Sequence, residues 1–318
     1  MAFSRAQISI FCVLGASVSI STSDVIVRTL SPDYPLHQIV FVRTLVALAL
    51  TFLIIVPAEG GMSILRTRRP VAHLVRSLCL VIANVTFFAA IVVMPLADAT
   101  AIFFVAPFLI TGMSALFLGE QVGIRRWAAL LVGGIGVLLI VQPGGQGFHW
   151  AMLLPMLAAV AYATMQTLTR DMGLSENAST MVVFVQGTFA VASILAGLAF
   201  GDGRFAGSGN PALEFIFRPW ASYTMPDLLL NCAGGVFITA AAYLLSQAYR
   251  LSEAGLVAPF EYVILVLAVF WGMGLWGEMP TLLSGGGIIL ILGAGIFVAL
   301  REARVGTMRR TWRISGRR

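Results

Sequence analysis

The 318-residue chain is 59% apolar and 11% charged, with a mean hydropathy of +0.94. Soluble domains are about half apolar and about a quarter charged, so 34 charged residues cannot furnish the surface of a water-soluble globule of this length. This excludes a soluble enzyme, a disordered chain and a nucleic-acid-binding domain, and leaves a polytopic membrane protein built from apolar runs of about 20 residues.

Ten apolar segments follow one another: Gln7–Leu30, Pro35–Val56, Val71–Met94, Ala97–Leu118, Trp127–Val141, Trp150–Thr169, Thr180–Phe200, Leu228–Leu251, Ala254–Trp276 and Leu282–Leu300. Helices satisfy their own backbone groups in lipid, so an all-α fold of ten transmembrane helices is predicted. The short alternating strands of a membrane barrel are missing from the pattern. The first segment starts like a signal peptide, with Arg5 and then Gly15, Ala16 and Ser17. It runs on too long for one, and a later segment resembles it, so a retained span is expected. Residues Gly201–Asp227 read as an exposed loop.

Ionisable groups inside spans are costly, at about 2.5–3.5 kcal/mol each at a helix centre, and usually face a cavity or a partner. Asp24 follows the polar run Ser17, Ser19, Ser21, Thr22 and Ser23; it is either a cavity carboxylate or a partner of Arg28 at i+4. Arg43 lies roughly 12 Å inside the second span, too deep for snorkelling alone. It could neutralise Asp24 or Glu261, or contact an anionic solute. Asn84 adds a polar group in the third span, whereas His73 and Arg76 lie near a basic loop and are expected at the headgroups. Pro107 should loosen the fourth span beside Phe103, Phe104 and Phe108, which are expected to face lipid or pack. Tyr162, Gln166, Gln186, Asn231, Tyr243 and Gln247 are neutral polar groups in later spans, Tyr243 and Gln247 sharing one helix face. Pro259 should loosen the ninth span next to Glu261 and Tyr262. Glu261 is the leading candidate for cation recognition or proton coupling, because burial raises a carboxyl pKa.

All 20 basic residues are Arg, and seven of them crowd the tail after Leu300. With the amino terminus inside, 15 Arg fall on the inner side and three on the outer (Arg28, Arg204, Arg218). The positive-inside rule then places both termini in the cytoplasm and the tail against anionic lipid. Cys12, Cys79 and Cys232 sit in apolar stretches as packing residues. The three His show no metal-ligand spacing, and a chain without Lys cannot carry a P-loop, so neither a metal nor another cofactor is expected.

The two halves repeat. Val40-Phe41-Val42-Arg43 matches Val183-Phe184-Val185-Gln186, and Asp24 and Arg28 align with Gln166 and Arg170. Val105-Ala106-Pro107-Phe108 matches Val257-Ala258-Pro259-Phe260, and Leu118-Gly119-Glu120 resembles Trp276-Gly277-Glu278. Gly134-Ile135-Gly136 resembles Gly293-Ala294-Gly295, glycine pairs suited to close helix packing. Five spans per half is odd, so the second copy enters the membrane from the other face: two inverted five-helix repeats.

These pieces, with Arg43, Pro95-Leu96-Ala97-Asp98-Ala99 and Ala258-Pro259-Phe260-Glu261-Tyr262, resemble the drug/metabolite transporter superfamily, specifically EamA-type permeases with two tandem domains. The resemblance implies one repeat at 1–145, a second at 146–300 and a basic tail at 301–318. It departs in Arg28, where the family often has Lys, and in the long 201–227 loop. It implies a bacterial inner-membrane secondary transporter of a small organic metabolite, working by alternating access with Glu261 or Asp24 as coupling groups. A passive channel and a membrane enzyme are the alternatives. Membrane lipids are the other expected partners, nucleic acid is not one, and a homodimer is left open.

Overall fold

The computed structural model describes residues 5–58, 61, 67–118, 124–142, 149–172, 178–251 and 260–297. Glu120, Pro259 and the basic tail lie outside them. Among the described residues every regular element is helical. In chain order these are α1 (Arg5–Leu30), α2 (Leu36–Leu50), α3 (Pro70–Val93), α4 (Leu96–Phe103), α5 (Ala106–Leu118), α6 (Ile124–Val141), α7 (Leu153–Met172), α8 (Ala178–Phe200), α9 (Pro211–Phe217), α10 (Met225–Leu251), α11 (Val263–Trp276) and α12 (Leu282–Phe297). A π turn at Thr51–Ile55 extends α2 to Ala58.

Seven helical stretches among the described residues are long and apolar enough to cross a bilayer, and Leu131–Val141, Val263–Trp276 and Leu282–Phe297 are shorter apolar helices. The stretch Leu96–Phe117 counts as one, although it is broken between α4 and α5. The break has a local cause. Pro107 has no N–H for the carbonyl of Phe103, and the chain closes instead with a tighter bond from Val105 N–H to the Ile102 oxygen at 3.2 Å.

α1 is buried along much of its length. Ser9, Ser17, Ser19, Ser21 and Ser23 are all inside, and Ser19 turns its hydroxyl back to the Gly15 carbonyl at 2.8 Å. α1 lies along α10, and α3 along α7; α2 packs on α8 and α10, and α8 on α2 and α3. α4 packs on α11, α1 also meets α11, and α7 also meets α4 and α5. Two close approaches depend on glycine. A Cβ on Gly235 would sit 2.8 Å from the Arg43 carbonyl, so Gly235 lets α10 reach the α2 backbone. A Cβ on Gly136 would sit 2.8 Å from the Gly287 oxygen, which brings α6 against α12.

The segment expected as an exposed loop is exposed over residues 204–211 and docks on the bundle through part of its later half. Asn210 caps α9 through its side chain, Phe215 is fully buried, and Trp220 fits against Gly197 and the rings of His37 and Phe41. Gln38 exchanges two hydrogen bonds with Ala221, at 2.6 and 3.0 Å. Tyr34 stacks on Tyr223 at 4.2 Å and donates to Asp227 at 2.8 Å. Phe215, Ile216, Trp220 and Tyr223 carry too much apolar surface to stand in water. We call this the cap end; the opposite, basic end carries Arg69 and Asp171.

Candidate transport site

Three polar clusters lie along the bundle. The first gathers on α1, α2 and α3. Arg43 is 5% exposed; it donates to Asn84 Oδ1 at 3.2 Å and to Ser23 Oγ at 3.4 Å, and lies over the Phe88 ring at 5.2 Å. Asp24 and Arg43 feel each other's charge, which offsets part of the cost of burying either. The i+4 partnership of Asp24 with Arg28 is not formed, because Arg28 turns to the cap end.

The second cluster joins α3, α7 and the turn before α11. Gln166 donates to the Tyr162 hydroxyl at 2.8 Å, and the charge of Glu261 reaches Tyr162 and Tyr262. Tyr262 is buried, and its ring occupies the space left by Gly295. Arg76 donates to Thr169 Oγ1 at 2.6 Å and to the Met181 carbonyl at 3.3 Å. Arg76 and His73 were expected at the headgroups; both are instead buried, His73 stacking on Phe184 at 4.5 Å. The face of α3 that carries them is covered by α7 and α8, so the guanidinium finds protein oxygens before it reaches lipid.

An aromatic run connects these two clusters. Phe88 adjoins Phe87 at 6.0 Å, Phe87 adjoins Phe103 at 5.3 Å, and Phe103 adjoins Tyr162 at 5.3 Å. Phe104 carries the run to Tyr262 at 5.2 Å. The expectation that Phe104 and Phe108 face lipid or merely pack resolves to burial inside the bundle. Gln186 and Gln247 are half-buried on α8 and α10, while Tyr243 is 47% exposed and stays apart.

The third cluster closes the cap end and was not singled out from the sequence. Arg28 of α1 forks onto Glu278, with Nη1 2.8 Å from Oε2 and Nη2 against Oε1. Trp276 covers the guanidinium at 4.2 Å. Glu278 also accepts the Leu96 N–H at 3.1 Å and so caps α4. Its aim is set by Gly277, whose φ of 66° ends α11 in a left-handed turn and lets Glu278 N–H return to the Gly272 carbonyl at 3.0 Å. The recurring Gly-Glu pair was the available signal. Its partner lies 250 residues away in the chain. Beside this latch is a cavity of about 760 Å³ lined by Arg28, Trp276, Ser31, Glu214 and Arg218. A second cavity of about 210 Å³ runs between α2, α3 and α8, with Asn84 and His37 in its wall. No group of three His, Cys, Asp or Glu able to hold a metal occurs among the described residues.

A helical membrane bundle with charged groups gathered inside it and aromatic rings between them has the build of a solute transporter. The chain belongs to the EamA-like transporter family, whose model matches residues 7–142. It is 31% identical to the riboflavin transporter of Rhizobium johnstonii over 77% of this chain and 75% of that one. It is 24% identical to the S-adenosylmethionine uptake transporter of Rickettsia bellii, covering 90% and 91% of the two. The pseudopaline exporter of Pseudomonas aeruginosa is 27% identical over 92% and 95%. A solved protein structure superposes with a TM-score of 0.63 at 19% identity, covering 94% of this chain and 98% of that one, a likeness of fold.

Proposed function

We propose that the chain is a secondary transporter that moves a small organic metabolite across a bacterial inner membrane by alternating access. The observation that carries this is the aromatic run linking Arg43, Asn84 and Asp24 to Tyr162, Tyr262 and Glu261. Stacking surface between a guanidinium–amide cluster and a carboxylate cluster suits a planar, amphipathic solute with polar groups at both ends. Amino acid derivatives and vitamin-like compounds have this chemistry. The named relatives, transporters of riboflavin, S-adenosylmethionine and pseudopaline, support a small organic solute. They include an uptake transporter and an exporter, so membership of the family does not fix the direction.

Alternating access needs two halves that can exchange roles, and the helix neighbours support ten spans in two inverted repeats of five. If α1, α2, α3 correspond to α7, α8, α10, and α4–α5 to α11, exchanging the halves maps the largest contacts between them onto one another. The α1–α10 contact maps onto α7–α3, α2–α10 onto α8–α3, and α1–α11 onto α7 with α4 and α5. The α2–α8 and α4–α11 contacts map onto themselves. Under the Arg asymmetry the basic end faces the cytoplasm and the cap end faces out.

The test is uptake by proteoliposomes of a labelled panel (riboflavin, S-adenosylmethionine and pseudopaline) with and without a pH gradient. Gradient-stimulated uptake above empty liposomes is expected, with Arg43→Gln abolishing it. Uptake of no solute overturns the transporter reading, and a Glu261→Gln variant as active as wild type at every pH removes Glu261 from coupling. Impermeant labelling of Glu120→Cys and Met279→Cys should occur from opposite sides; labelling from one side overturns the inverted repeat.

A further inference from the structure

The latch at the cap end has a second acid within reach of the Glu278 charge, and the guanidinium is bonded to Glu278 alone. Arg28 spends its fork on Glu278, and the same carboxylate takes the Leu96 N–H at the start of α4. Asp98 stands in that same first turn of α4, two residues on. Its Oδ1 is buried without a hydrogen-bond partner. The charge of Glu278 reaches it, and the Ser284 hydroxyl is its polar neighbour. At the other end of α4, Phe103 and Phe104 separate it from Tyr162 and Tyr262. The positive end of α4 favours one anion, and Glu278 has taken that place. An ionised Asp98 would face the like charge of Glu278 with one oxygen buried and unpartnered and the Ser284 hydroxyl as its donor. A proton on its carboxyl removes both costs.

We propose that Asp98 is the proton-carrying member of the latch. This rests on the transporter reading above. With Arg28 held by Glu278, Asp98 keeps its proton. When Arg28 and Glu278 part, water from the 760 Å³ cavity enters, the Asp98 O–H bond breaks, and the proton leaves to water on the cap side. Reclosing takes a proton back from that water. Closure of the cap end is therefore linked to proton uptake there, and the closed-to-open ratio gains up to roughly tenfold for each unit fall in pH within the titration range.

The experiment uses the full chain in nanodiscs, with Cys12, Cys79 and Cys232 replaced by Ala. Spin labels go on Asp33→Cys and Met279→Cys, both exposed at the cap end on opposite halves. Their separation is measured by double electron–electron resonance from roughly pH 5.5 to 8.5. The expected result is a short-distance population that gives way to a longer one as pH rises. Asp98→Asn and Asp98→Ala should both hold the short distance at every pH, and Arg28→Gln the long one. An Asp98→Asn and Asp98→Ala pair that keeps the wild-type pH profile overturns the assignment. So does a pH-independent wild type in which Arg28→Gln still opens, which leaves the latch itself standing. One short distance in every variant, Arg28→Gln included, overturns the latch and the alternating-access reading with it.

Discussion

The cap end and the basic end both carry arginine, but they use it in opposite ways. At the cap end Arg28 and Glu278 keep only 10% and 20% of their side-chain surface exposed, joining α1 to the turn after α11. At the basic end Arg69 and Asp171 pair at 2.8 Å with 43% and 46% exposed. An exposed pair is screened by water and contributes about 0–1 kcal/mol. Removing one partner of a buried pair leaves an uncompensated charge, which costs about 3–5 kcal/mol. Cohesion across the bundle is therefore concentrated at the cap end, where the 201–224 segment adds the Gln38–Ala221, Thr224–Tyr34 and Arg218–Ser31 bonds.

The comparison breaks most sharply at Glu278. Glu278→Ala strands Arg28 under Trp276 and uncaps α4 in one change, so a loss of about 3–5 kcal/mol from the closed arrangement is expected. Hydrogen exchange should show it first in the opening turn of α4. Glu278→Gln keeps the Leu96 cap and should lose less. If both variants exchange like wild type, the cap end is not held by its charges.

Arg76 contributes buried bonds on α3, two turns from Arg69. Its bonds to Thr169 and Met181 tie α3 to α7 and α8. Arg76→Met preserves the stem and removes the bonds, for an expected loss of about 1.5–3 kcal/mol. A lower thermal unfolding temperature with no change in the spin-label distance at the cap end would keep the two ends energetically separate. A shift in that distance would show the ends coupled through α3.

Much of this layout is legible in one dimension and some is not. A charge such as Arg43 or Asp24 stands out against an apolar run, because lipid makes unpaired charge expensive. Helix positions are readable for the same reason, each apolar run having to satisfy its own backbone. Partners are another matter: nothing local to Arg28 distinguishes Asp24, four residues back, from Glu278. Arg76 misleads because proximity to a basic loop says nothing about which face of α3 is covered. The 201–227 segment misleads through its Gly, Pro and Ser content, although Phe215, Trp220 and Tyr223 were signs of a docked surface. Asp98 is hidden by position, at a helix start where a carboxylate ordinarily caps.

Within the cap, Glu214 offers a finer measurement. Partial desolvation works to raise its carboxyl, but the N–H groups of Gly207 and Ser208 and the Ser208 hydroxyl outweigh it and hold it below its ordinary value. Gly207 has a φ of 88°, a conformation that side chains resist, and its N–H meets the carboxylate at 2.7 Å. A depressed carboxyl stabilises the fold above its unfolded pKa of about 4.3 and loses that contribution as pH falls through the folded value. Amide exchange at Gly207 and Ser208 should therefore speed up on acidification below that range, relative to the intrinsic rate. In Glu214→Gln it should already be fast at neutral pH. Acidification over the higher range, from roughly pH 8.5 to 5.5, is expected to close the Arg28–Glu278 latch through Asp98, so the latch should tighten before the loop loosens.

The smallest effect is expected at Arg69, and it is the most direct check on the contrast between the ends. Arg69→Ala removes a charge pair of good geometry, at 2.8 Å, that stays close to half exposed. Two long side chains are already partly free there, and water replaces the lost partner, so the change in unfolding free energy should be at most about 1 kcal/mol. High salt should shrink the wild-type advantage further, because exposed pairs are screened over about 8–10 Å at physiological ionic strength. The Arg28–Glu278 pair, closed under Trp276, should barely respond to the same salt. A titration of both single variants therefore separates burial from geometry. If Arg69→Ala costs as much as Arg28→Gln, or both fade equally with salt, exposure is not what distinguishes the two ends. The cap end's hold must then be sought in the neutral bonds of the 201–224 segment.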